Sequence, residues 1–309
     1  MAQQSVPDNV LEAPLHFINR DKLWDTVKPY SFQYYLKEDF PRTNVKQTPI
    51  PIELKSIRDQ NPPPSLDAQG FAVHELETRM QYEDFADEKT IEGIYCKELE
   101  KYFLEALGAK HVRALDYQVR RREEAFPKLK GRIPLTPQPS LITHVDVTPP
   151  AAQAIIEELY QSTSDKILQS RYQLITWVLR LSSFKSSMLR YKNAPRVWRP
   201  LRVPVKDWPL AICDATTVDR DDLIASDVLY PNFIAENHLI HHNEKQKWYW
   251  LPEQTDKEVL VFKALDTGCS TSWPCPHGAF PLPDQSSGRT LRESIDVRLL
   301  VMHAEIDYQ

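Results

Sequence analysis

Twenty-five prolines stand against only seven glycines in this chain. Proline fixes φ and cannot donate to a hydrogen-bond ladder, so the ratio predicts stiff, extended connections and long ordered loops. The glycines, at positions 70, 93, 108, 131, 268, 278 and 288, are too scattered to form either a GxGxxG turn or a P-loop. Nucleotide binding through a glycine-rich phosphate cradle is excluded.

Between the breaks lie short runs of β character: RALDYQVRR, SLITHVDV, RYQLITWVL, PLAICDATTV, NHLIHH, QKWYWL, EVLVFKAL and SIDVRLLVMHAEI. Such runs, separated by Pro and Asp/Asn clusters, suit a jelly roll or barrel better than alternating βαβ units. Two helices flank them. From Asp87 to Gly108, residues Ile91, Ile94, Tyr95, Leu99, Tyr102, Phe103 and Leu107 recur at helical spacing, with acids in the first turn and Gly just past the end. The second starts at Pro149-Pro150 and runs through AAQAIIEELYQ, since proline suits the first helical position. The expected fold is mainly β with flanking helices, a double-stranded β-helix or jelly roll. Residues 1–70 carry many aromatics and prolines without sustained periodicity, so they read as an extended arm packed on one domain spanning 71–309.

Charge and cysteine content narrow the partners. Lys plus Arg number 38 against 43 Asp plus Glu, a net charge of -5, which gives no bulk electrostatic reason to bind nucleic acid or an anionic membrane. No apolar run reaches the roughly 18 residues of a spanning helix. Cys96, Cys213, Cys269 and Cys275 make no CxxC pair, and MAQQSVPDNV has neither the charged nor the apolar region of a leader. The cytoplasm is the expected location, and the oligomeric state is not legible.

Chemistry enters at His144-Val145-Asp146, near the end of an apolar run. On a strand, residues i and i+2 share a side, so an imidazole and a carboxylate can meet at one point; a strand-end histidine with a capping aspartate is the alternative. A third candidate, His277, lies in Trp273-Pro274-Cys275-Pro276-His277-Gly278, where prolines stiffen the backbone as a pre-set ligand requires. Alternation in the last strand puts Arg292, Ser294, Asp296 and Arg298 on one face and Ile295, Val297 and Leu299 on the other. That polar face either pairs with a carboxylate ligand or is an exposed, salt-bridged surface.

His-x-Asp, a distant His and Arg-x-Ser occur in the order of a two-His-one-carboxylate site, which leaves three adjacent positions open on Fe(II). A bidentate 2-oxo acid takes two of these, its far carboxylate held by arginine, and dioxygen takes the third. Zinc hydrolysis competes for the same ligands, but it needs a general base placed near the metal water, and none is identifiable. The clustered His238, His241 and His242 read as surface or supporting residues. Cys269, Cys275 and His277 lack the fourth, closely spaced ligand of a zinc group.

Over nearly its whole length the chain resembles the fungal and bacterial hydroxylase/desaturase family, gibberellin desaturase-like and AsaB/CmcJ-like. The resemblance runs through PRTNVK (41–46), VRR (119–121), HVDVTP (144–149), VWRPLRVPVKDWPLAICDA (197–215), KWYWLPEQTDKEVLVFKALD (247–266), CPHGAF (275–280) and RESIDVR (292–298). It implies an Fe(II)/2-oxoglutarate-dependent oxygenase, a hydroxylase or desaturase, that tailors a small-molecule secondary metabolite using dioxygen. It also implies His144, Asp146 and His277 as metal ligands, and Arg292 with Ser294 or Arg298 as the 2-oxoglutarate anchor. A redox-silent relative, acting as a binding protein or a non-redox cyclase or isomerase, is the alternative on the same scaffold. The chain departs from the family in three places. Tyr117 stands where a His is common, Thr176 replaces an Asn, and residues 177–196 separate RYQLIT from VWRPL. That segment is basic, apolar and free of acids; it reads as an in-frame translated intron in preference to a lid.

Overall fold

Alternation along the strand Glu293–Met302 organises the architecture of the computed structural model, which describes residues 10–34, 36, 40–128, 134, 136–175, 196–268, 274–283 and 290–306. Ile295, Val297, Leu299 and Val301 enter the apolar layer beneath the first helix, while Ser294, Asp296 and Arg298 face the opposite side, as the sequence pattern predicts. One edge of this strand pairs along its whole length with His111–Arg121. The other edge is shared, with Ser294–Val297 pairing with Arg196–Pro200 and Leu299–Met302 with Tyr172–Ile175. Glu258–Phe262, Phe71–Glu75 and Leu265–Asp266 complete a seven-stranded sheet.

Among the described residues a second sheet has nine strands: Val10–Ile18, Gln47–Ser56, Trp248–Trp250, Leu210–Cys213, His277–Ala279, His144–Val145, Phe233–Ile240, Leu223–Tyr230 and Tyr30–Phe32, in spatial order. Phe71, Trp198, Ile212, Tyr249, Leu260 and Phe262 form one buried cluster between the two sheets. This is a jelly roll, as the sequence suggested.

Both expected helices form. Asp87 caps the first by accepting from the Thr90 N–H at 2.8 Å, and a π-helical turn at Ile91–Tyr95 leads into Cys96–Ala106. Gly108, at φ +56°, supplies the left-handed residue that ends it. Ile91, Tyr95, Cys96, Leu99 and Phe103 are buried, with Ile94, Tyr102 and Leu107 partly buried against them. The second helix, Pro149–Tyr160, is capped by Thr148 and buries Ala152, Ile155 and Ile156 against Val145, Val147 and Leu174. No helix among the described residues is long and apolar enough to cross a membrane.

Several local expectations differ. The run SLITHVDV is a strand only at His144–Val145; before it, Ile142 makes an isolated parallel bridge to His16, and Thr143 donates to the His16 carbonyl through both its N–H (2.8 Å) and its hydroxyl (2.7 Å). Within 1–70, Val10–Ile18 and Gln47–Ser56 are paired strands of the nine-stranded sheet, and Ala13, Leu15, Ile52 and Leu54 are buried in its outer apolar layer. Leu223–Tyr230 is a strand that the sequence reading did not single out. Residues 177–195 and Cys269 lie outside the described residues.

Candidate metal centre

The three candidate ligands arrive from two neighbouring strands. His277 is paired directly with His144 across the antiparallel ladder, and Ile212 flanks His277 on the other side. Asp146 sits just past the end of the His144–Val145 strand, and Thr148-Pro149-Pro150 then turns the chain into the second helix. The strand geometry assumed for residues 144 and 146 is therefore replaced by a bend, yet the two groups still converge. His144 Nε2 is 3.2 Å from Asp146 Oδ1, and His277 Nε2 is 3.1 Å from Asp146 Oδ2. All three side chains are buried, at 3%, 0% and 1% exposure for His144, Asp146 and His277.

The imidazoles are set by their other nitrogens. His144 Nδ1 lies 2.8 Å from the Ile142 carbonyl, and His277 Nδ1 lies 3.2 Å from the Cys275 carbonyl. A carbonyl only accepts, so each Nδ1 carries a hydrogen and each Nε2 is the nitrogen left facing the same carboxylate. In the neutral rings two Nε2 lone pairs facing two carboxylate oxygens repel unless a cation lies between them, so the donor set fits a divalent metal. Among the described residues this trio is the one group of three or more His, Cys, Asp or Glu whose ligand atoms converge, all within 4.8 Å of one another. Phe262 packs on the His277 ring, with centroids 4.6 Å apart, and fixes its plane. Cys275 is no competitor, since burial pushes its thiol up to about 12.

The polar face of the last strand lies inside the barrel, not on the surface. Arg292, Ser294, Asp296 and Arg298 are all buried. Arg292 Nε is 3.4 Å from Ser294 Oγ, its Nη1 donates to the Trp208 carbonyl at 2.5 Å, and its guanidinium lies 5.0 Å from the centre of the Trp198 ring. Arg298 makes a two-pronged ion pair with Asp116, and Arg120 pairs with Asp296 at 2.7 Å. Two of the clustered histidines make structural contacts: His241 Nδ1 bonds the Ile18 carbonyl at 3.0 Å, and His242 packs edge-on against Phe17. Spacing gave no hint of Asp207, Trp208 and Arg122, which surround Arg292. Asp207 and Trp208 lie within VWRPLRVPVKDWPLAICDA (197–215), which carries the resemblance, and Arg122 directly follows VRR (119–121).

Residues 15–178 and 187–302 match the family described as oxidoreductase/YMDC permease-like domain. The unmatched stretch falls within 177–196. The hydroxylase/desaturase efuI of Hormonema carpetanum is 28% identical over 278 residues, covering 84% of this chain and 85% of that protein. The Fe(II)/2-oxoglutarate-dependent dioxygenase nvfI of Aspergillus novofumigatus is 30% identical over 268 residues, covering 84% and 86%. A variant of the iron and alpha-ketoglutarate-dependent endoperoxidase NvfI superposes with a TM-score of 0.80 at 26% identity, covering 98% of this chain and 100% of that one.

Proposed function

The chain belongs to the oxidoreductase/YMDC permease-like domain family, and from that membership and the site we infer an Fe(II)- and 2-oxoglutarate-dependent oxygenase that modifies a small organic molecule of secondary metabolism. One observation carries the reading. Two histidine Nε2 atoms lie 3.2 and 3.1 Å from the two oxygens of a single buried carboxylate.

His144, Asp146 and His277 are the proposed iron ligands. Bound iron supplies dioxygen activation coupled to oxidation of 2-oxoglutarate to succinate and carbon dioxide, with hydroxylation or desaturation of the substrate. The chain's own residues bind and orient. The Ile142 and Cys275 carbonyls hold each imidazole with Nε2 toward the metal position. Phe262 and the apolar cluster between the sheets keep water from the ligands.

Arg292 and Ser294 are the proposed anchor for the far carboxylate of 2-oxoglutarate. Both are buried on the inner face of the strand Glu293–Met302 or directly before it, and a guanidinium beside a hydroxyl offers the donors that a carboxylate accepts. The Arg298 guanidinium is committed to Asp116, which favours Arg292 over Arg298 in this role. Cys96, Cys213 and Cys275 are free thiols, which supports the cytoplasmic location.

Calorimetric titration of the metal-free protein tests the reading. One equivalent of Fe(II), added without air, should bind first, and one of 2-oxoglutarate should bind only afterwards. Binding of 2-oxoglutarate that is indifferent to the metal would count against it.

A further inference from the structure

Asp207 and Trp208 lead, through Pro209, into the strand Leu210–Cys213, which pairs with the strand that bears His277. The Asp207 side chain is 1% exposed, and one oxygen, Oδ2, joins two other elements. It accepts from Arg122 Nε at 2.6 Å and from the main-chain N–H of Arg292 at 2.8 Å. Arg122 closes the ring by donating its own main-chain N–H to the Arg292 carbonyl at 2.9 Å. One buried ion pair thus holds the Arg292 backbone at both its N–H and its C=O.

The guanidinium of Arg292 is held by the next residue, through Nη1 and the Trp208 carbonyl at 2.5 Å. Trp208 adopts φ +44°, a left-handed conformation that a bulky residue before proline adopts only under constraint. Strain of this kind persists where the surroundings over-determine it, and it concentrates at functional positions. The surroundings here are specific. The Trp208 ring meets Phe126 edge-to-face at 4.8 Å and shares a small cluster with Ala279 and Leu141. Ala279 lies two residues past His277, and Leu141 three before His144. The residue whose carbonyl fixes Arg292 is therefore wedged against both segments that carry the histidine ligands.

We propose that Asp207, acting with Arg122 and the strained Trp208, is a positioning clamp that sets the Arg292 guanidinium at a fixed reach from the metal ligands and thereby selects a 2-oxo acid with a second carboxylate. The inference rests on the reading of Arg292 as cosubstrate anchor. Asp207 touches no cosubstrate; it acts through Arg292. Misplacing a charge-assisted partner by a fraction of an ångström weakens the bond it makes, whereas the 2-oxo end of the acid is held elsewhere and should not register the change.

The test compares two acids that share a five-carbon chain: 2-oxoglutarate, and 2-oxovalerate, which lacks the far carboxylate. Their binding to the Mn(II)-loaded full chain is measured by calorimetry for the unaltered protein, Asp207→Asn, Arg122→Met and Arg292→Leu. Asp207→Asn should weaken 2-oxoglutarate roughly tenfold, the lower end of what lost supporting-shell contacts cost, with 2-oxovalerate and Mn(II) affinities held within about twofold. If Asp207→Asn does not fold, Arg122→Met carries the same expectation. Unchanged 2-oxoglutarate affinity in both variants, with Arg292→Leu strongly weakened, would overturn the clamp while sparing the anchor. Equal weakening of both acids would also overturn it, as general damage. Equal affinity of the unaltered protein for the two acids would overturn the anchor assignment, and this inference with it.

Discussion

His277 is the direct cross-strand partner of His144, their ring centroids 4.5 Å apart and their planes inclined at 51°. Because the two strands share a ladder, the distance between the imidazoles is set by backbone hydrogen bonds before any metal arrives. Asp146, on the bend that follows, closes the third corner.

Removal of any corner should abolish iron binding. His144→Ala, Asp146→Ala and His277→Ala should each lower Fe(II) affinity beyond the roughly 10- to 100-fold that loss of a mere supporting contact costs. Asp146→Glu should retain partial binding with the metal displaced by a methylene's length. Iron analysis of the purified variants decides, and stoichiometric iron in Asp146→Ala would refute the ligand assignment.

Arg292 and Arg298 should separate in their effects. Truncating one side of a buried, charge-assisted pair costs about 2–5 kcal/mol, so Arg292→Leu should weaken 2-oxoglutarate roughly 30-fold or more with iron content unchanged. Arg298→Leu removes the two-pronged ion pair to Asp116 and should instead lower the melting temperature. Loss of 2-oxoglutarate binding in a well-folded Arg298→Leu protein, with Arg292→Leu unaffected, would move the anchor.

The strands Tyr172–Ile175 and Arg196–Pro200 lie end to end along one edge of Glu293–Met302. Ile175 pairs with Leu299 and Val197 with Val297, so a single position, opposite Arg298, separates them. Deleting 177–196 leaves Thr176 to fill that position and gives one continuous strand. Shortening a closure of about 20 residues to one should stabilise the fold by about 3 kcal/mol, with succinate formation retained. A deletion protein that folds but no longer turns over would assign the segment to the active site.

Acid should destabilise the fold before its carboxylates protonate. Burial holds His16, His74, His238, His241 and His303 below the ordinary histidine range. The unfolded chain, with values near 6.5, takes up protons first, so this stability is complete above about pH 6.5 and is lost as pH falls through the folded values. The melting temperature should drop between pH 7.5 and pH 5.5, by about 2 °C for each kcal/mol lost. A higher melting temperature at pH 5.5 would contradict this.

The sequence was readable wherever periodicity was clean. The helix bearing Leu99 and Phe103, the alternation of Ile295 and Val297, and the helix start at Pro149-Pro150 all follow from local rules. Gln47–Ser56 was hidden because Pro49 and Pro51 interrupt a strand whose Ile52 and Leu54 nonetheless alternate inward. For the site, residue types and their order were legible. The arrangement of Asp207 around Arg292 was not, since it depends on contacts 85 positions apart that no spacing rule encodes.

The most direct measurement is succinate formed from 2-oxoglutarate by the purified protein with Fe(II) in air. Conversion should require iron and dioxygen and should vanish in His277→Ala. A protein that binds one iron yet forms no succinate, and that turns over a substrate with zinc in the absence of dioxygen, would contradict the account.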